Sequence, residues 1–134
     1  RYGWLERMLT PLWNMWATMP VGVDVLLNDG DELPIMGGIK VLHTPGHTLG
    51  SISLYLKRHK LVIAGDVLSH RFVLGLPSRA FTVDIAREIE SIKKLTELDF
   101  DIVCFGHGAP LVKDARESVL RLAQKAEKKY QKAR

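Results

Sequence analysis

The sequence predicts an α+β fold: a mostly antiparallel sheet with helices packed on one face. Two patterns carry this expectation. Short apolar runs bounded by turn residues occupy the stretch after Pro20, and from residue 82 onward two long segments at helical spacing flank one more short apolar run. With 46% apolar residues in 134, the chain has enough material for one core, so residues 1–134 are expected to form a single domain. Within it, residues 1–20 read as an aromatic helical segment and residues 21–134 as the sheet-and-helix layer.

Leu5, Met8, Leu9, Leu12, Trp13 and Trp16 fall at helical spacing, with Pro11 interrupting and Thr10 able to cap a second short helix. All three tryptophans lie in this segment, which reads as packing or interface surface rather than a ligand contact. Opening on Arg1 inside such a segment is the pattern of a piece of a longer protein. Residues 23–27 are expected to form a strand that ends in the turn Asn28-Asp29-Gly30-Asp31. Further strands are expected at 39–42, 52–56 and 61–64, the last two joined as a hairpin by Lys57-Arg58-His59-Lys60. A helix over 85–98 carries Ile85, Ile89, Ile92 and Leu95 as its apolar stripe, with Thr82 or Asp84 as cap. After a buried strand at 102–105, Asp114 and Glu117 suggest a capping box. It opens a helix over 114–130 with Val119, Leu122, Ala123, Ala126 and Tyr130 on one face. Apolar residues are adjacent at Val62-Ile63 and Ile102-Val103, so both faces of the sheet call for cover, and the two helices can supply only one.

Three loops follow predicted strands and carry the candidate chemistry. In His43-Thr44-Pro45-Gly46-His47-Thr48-Leu49-Gly50-Ser51, one proline and two glycines force a tight path that would hold His47 in place. Such fixity suits a metal ligand, since Zn–N distances sit near 2.0–2.1 Å. The second loop is Ala64-Gly65-Asp66, and the third is Phe105-Gly106-His107-Gly108. Two imidazoles and a carboxylate at three strand ends make a candidate metal site of borderline hardness.

Taken together, Thr44 to Ser51, then Ala64-Gly65-Asp66, then Gly106-His107-Gly108 resemble the metallo-β-lactamase superfamily in order and approximate spacing. The resemblance covers residues 23–123, and its most specific part is the first motif. It implies half of an αββα sandwich, with this chain as the C-terminal half. It also implies that His47 binds one metal ion, Asp66 bridges two, and His107 binds the second, with zinc the expected metal. The family's His-x-His-x-Asp-His motif has no counterpart here, because the five histidines are His43, His47, His59, His70 and His107. Two zinc ions are therefore expected in the full-length protein, and none or partial occupancy in this chain. The family's general base would lie in the missing motif, so no catalytic residue is assigned here.

The implied activity is hydrolysis of a small-molecule ester, thioester, lactone or amide by metal-activated water, closer to the glyoxalase-II-like and lactonase-like members than to the nuclease branch. This chain alone is expected to be inactive. The alternative is a non-catalytic half-domain that works by association, as a homodimer or paired with its missing N-terminal half. His70 and Arg71 are candidates for substrate contact, with Ser69 and Arg79 in the same long segment. His43 is expected either to brace the first motif or to pack in the core. Cys104, the one cysteine, is expected as an inert buried thiol and cannot form an internal disulfide. No apolar run is long enough to cross a bilayer and no secretory signal is visible, so a cytoplasmic, non-membrane protein is expected. Net charge is +4, and the basic tail Lys125, Lys128, Lys129, Lys132, Arg134 reads as a solvated helix face. Nucleic-acid processing is thus the weaker alternative.

Overall fold

A computed structural model of the chain describes residues 22–132. The sheet order is β1 (Glu32–Leu33), β2 (Ile39–His43), β3 (Ile52–Leu56), β4 (Leu61–Ile63) and β5 (Ile102–Cys104). The first four strands pair antiparallel and β5 joins β4 in parallel. That switch requires a crossover, which α1 (Ile85–Thr96) supplies. Helix α2 (Ala115–Lys132) follows β5. The predicted α+β layer is therefore present.

Register decides which side chains meet the helices. Tyr55 lies opposite Val62, and Val62 opposite Val103. These three share one face with Leu42 and join Ile92, Leu95, Val119 and Ala123 in one buried cluster. Alternation sends Val41, Ile52, Leu54, Ile63 and Cys104 to the other face. Val41 is fully buried there, but Ile52 and Ile63 each remain 39% exposed. Cys104 is half-buried on this face, not fully buried as the sequence suggests.

Local chemistry explains the helix starts. Asp84 sits in extended geometry, and its carboxylate accepts from the Arg87 N–H at 3.1 Å. Lys93 and Lys94 close the last turn of α1, where cations suit the helix dipole. Asp114 departs from the expected capping box. Its φ of 50° takes it out of the extended region that an N-cap occupies, and it serves the helix through its carbonyl, which accepts from the Ser118 N–H.

The expected strand at 23–27 does not form. Val23, Val25 and Leu26 are largely exposed, and no strand pairs with them among the described residues. The turn itself is as expected: the Asp31 carboxylate accepts from the Asn28 N–H, and Gly30 has φ 88°. The edge strand comes after this turn, at Glu32–Leu33 against Lys40 and Ile39. An apolar run makes a strand only where a neighbour offers a ladder, and here the ladder falls to the two residues beyond the turn. The tryptophan-rich segment at 1–20 lies outside the described residues.

Candidate metal centre

The loop after β2 is held from several sides. Thr44 is fully buried, its hydroxyl 3.0 Å from that of Ser53, and Ser53 in turn donates to the Ala64 carbonyl. Ser91 of α1 donates to the Pro45 carbonyl at 2.7 Å. The Gly46 carbonyl accepts from the Val83 and Asp84 N–H groups. Gly46 has φ 148°, and a Cβ on it would collide with the backbone of Glu88, so only glycine lets the loop lie against the helix. His43 braces the far end, its ring Nε2 2.9 Å from the Leu49 carbonyl. It thus supports the motif from outside rather than packing in the core.

Asp66 follows β4 on a short turn, Gly65–Val67, anchored by the fully buried Val67 and Leu68. Gly106, after β5, donates its N–H to the Gly65 carbonyl. The Asp66 carboxylate fills the space that a Gly106 side chain would need. Strand pairing of β4 with β5 therefore sets Asp66 beside the next residue, His107. His107 Nε2 stands 3.7 Å from Asp66 Oδ1.

His47, Asp66 and His107 line one cleft of about 510 Å³, together with Ser69 and Arg71. Leu76, Pro77, Ser78 and Phe81 form its apolar and hydroxyl-bearing wall. Of the two residues proposed for substrate contact, Arg71 lines the cleft and His70 does not. His70 is a structural tie: its Nδ1 meets the Ala109 carbonyl at 2.8 Å, its N–H donates to the His107 carbonyl, and its ring packs 5.4 Å from that of Phe105. Arg79 faces a different cavity. Ser78 and Phe81 were not legible as site residues, because nothing in Pro77-Ser78-Arg79 marks a cleft wall before the fold is known.

The donors fit a metal ion in part. His47 Nδ1 is buried without a partner, an orphan that a cation would satisfy. Two ligands about 2.0–2.1 Å from one tetrahedral ion stand roughly 3.3 Å apart, close to the Asp66–His107 separation. Among the described residues, no three His, Cys, Asp or Glu side chains are grouped tightly enough to hold one ion together. The three candidates thus converge on one cleft but not on one coordination sphere.

The Metallo-beta-lactamase superfamily model matches residues 3–107. The chain belongs to that superfamily. At 40% identity over 88 residues, 64% of this chain is similar to hydroxyacylglutathione hydrolase of Brucella ovis, and the 39%-identical enzyme of Brucella anthropi aligns equally. The aligned stretch spans about a third of the length of these curated relatives. A metallo-beta-lactamase family protein of Thermus thermophilus superposes with TM-score 0.64 at 27% identity, over 81% of this chain and 36% of that one. An archaeal superfamily protein from Sulfolobus tokodaii shares the fold, with TM-score 0.67 at 18% identity, over 90% of this chain and 47% of that one. A further neighbour, solved in a di-iron-bound form, has TM-score 0.64 at 24% identity over 86% and 55% of the two chains.

Proposed function

We propose that this chain contributes one wall of a metal-dependent hydrolase site acting on an acylated thiol or a related ester, lactone or amide. One observation carries the reading: His47, whose ring Nδ1 is buried and unpartnered, lines the cleft where Asp66 and His107 stand as neighbours. The curated relatives, named as hydrolases of hydroxyacylglutathione, favour the thioester within that class. His47, Asp66 and His107 would each contribute to holding zinc or iron together with ligands from outside the described residues; the bound metal would supply a water acidic enough to act as nucleophile near neutral pH.

The chain's own residues have three tasks there. Asp66 carries the negative charge that draws a cation to the cleft, and the buried turn beneath it keeps that charge in place. His47, pinned through Gly46 and Pro45, contributes a ring nitrogen that no protein group uses. Arg71, exposed at the cleft rim, offers a guanidinium to an anionic substrate group. With three candidate ligands in the described residues, turnover is expected only where further ligands complete the site.

The test is zinc uptake by the purified chain, followed by equilibrium dialysis, alongside hydrolysis of thioesters. Weak uptake that H47A and D66A abolish, with negligible turnover, is the expected result. Uptake that neither substitution changes would overturn the reading. A second reading, association through the sheet face opposite α1 and α2, is favoured by Ile52 and Ile63 at 39% exposure. Sedimentation of the chain at micromolar concentration tests it, and a monomer would count against it.

A further inference from the structure

Behind the metal cleft lies a second cavity of about 330 Å³, between α1, α2 and the loop that carries Leu76 and Pro77. Those two residues line both spaces. The floor of the second cavity is apolar, from Ile85 and Ile89. Glu88 lines it too; the residue is only 1% exposed, and its Oε1 has no hydrogen-bond partner. Arg79 and Lys129 line the same cavity from its exposed side, yet neither side chain pairs with that oxygen. A buried carboxyl oxygen left unsatisfied is costly, and nothing in the site's proposed chemistry uses it.

The three features are complementary to one kind of molecule. The unpartnered Oε1 of Glu88 wants an N–H donor, the two cations want an anion, and the isoleucines want an aliphatic body. We propose that this cavity binds a small zwitterionic ligand of the apolar α-amino-acid class. Its ammonium group donates to Glu88, its carboxylate faces Arg79 and Lys129, and its side chain lies on Ile85 and Ile89. The volume is at the small end of ordinary ligand sites, which span roughly 300–1,000 Å³. Because Leu76 and Pro77 form the common wall, the ligand would sit one layer of side chains from the metal cleft.

The experiment is titration of the full chain at pH 8 with three probes, read by calorimetry and by amide chemical shifts in α1. L-Leucine carries both charges, 3-methylbutylamine only the ammonium, and 4-methylpentanoate only the carboxylate. Leucine should bind saturably, at least tenfold tighter than either half-probe, with shifts at Ile85 and Ile89. E88Q keeps the side-chain shape without the charge and should weaken leucine at least fivefold. R79M/K129M should do the same while leaving the amine probe unchanged. Absence of saturable leucine binding would overturn the proposal, as would equal binding by E88Q. If 4-methylpentanoate binds as tightly as leucine, the cavity is a simple anion site and the role of Glu88 is refuted. Zinc uptake by the same variants is read separately, so failure here leaves the metal-cleft reading standing.

Discussion

Replacing Glu88 by glutamine should remove a pH dependence from folding. Burial pushes the Glu88 carboxyl up from 4.5 to about 7, and a hydrogen bond from Thr82 offsets only part of that. The unfolded chain therefore releases this proton near pH 4.5 while the folded chain holds it to about pH 7. Between those values the unfolded state binds fewer protons, so stability falls as pH rises. At about 1.4 kcal/mol per pH unit, the penalty grows from about 1 kcal/mol at pH 5 to about 3 kcal/mol at pH 8. Glutamine has no charge to bury, so E88Q should be relatively more stable at pH 8 than at pH 5, by about 2 kcal/mol compared with the parent. Any constant cost of placing an amide there cancels in that double difference. Urea denaturation followed by circular dichroism at the two pH values measures it. Parallel pH dependence in the two proteins would show that Glu88 is solvated or paired in solution, and the reasoning would fail.

The remaining predictions concern other parts of the structure. G46A puts a Cβ into the Glu88 backbone at a φ that L-residues avoid, and should cost about 3 kcal/mol of stability in urea. L95A empties a site with no solvent exposure in the cluster between helices and sheet, and should cost roughly 2–5 kcal/mol by the same assay. The Asp29 carboxyl is held below its usual 3.8 chiefly by the Lys94 ammonium and also by the His43 N–H. It therefore stabilises the fold above that value, and the contribution is lost as pH falls through the lowered one. K94M should flatten the acid limb of the stability curve below about pH 4, by well under 1 kcal/mol because the pair is solvent-screened. H107A should weaken zinc uptake on the order of tenfold or more, seen by competition with a chelating dye.

The sheet and helices were legible because their signals are local. Turn residues at 57–60 and an apolar stripe from Ile85 to Leu95 need no distant partner to be read. The strand expected at 23–27 was misplaced for the opposite reason: a run of apolar residues says nothing about where a ladder will be offered. The candidates His47, Asp66 and His107 stand out in the sequence because glycine and proline surround them in loops after apolar strands, and the fold brings all three to one cleft. The failure of His70 to reach the cleft depends on a contact 39 residues away, to Ala109, which no spacing reveals. Glu88 did leave a trace. It falls three residues after Ile85 and four before Ile92, on the very stripe that faces inward, and an acid there is a local contradiction of the helix pattern.

That contradiction bears on how the site is built. The loop bearing His47 is fixed to α1 through the backbone at Gly46, through Ser91 to Pro45, and through the two N–H groups at the helix start. All of these contacts lie within two turns of Glu88. An apolar residue at position 88 would leave the same backbone surface against Gly46 and would avoid burying a carboxyl. The anchoring of the loop therefore does not require the acid. A folding cost of about 3 kcal/mol above neutral pH, taken from a total of about 5–15 kcal/mol, is large for a group with no structural role. The cost also falls on the element that holds a candidate metal ligand in place. Ionisation of Glu88 would loosen α1 and the His47 loop together, whereas a donor bound to its free oxygen would stabilise both.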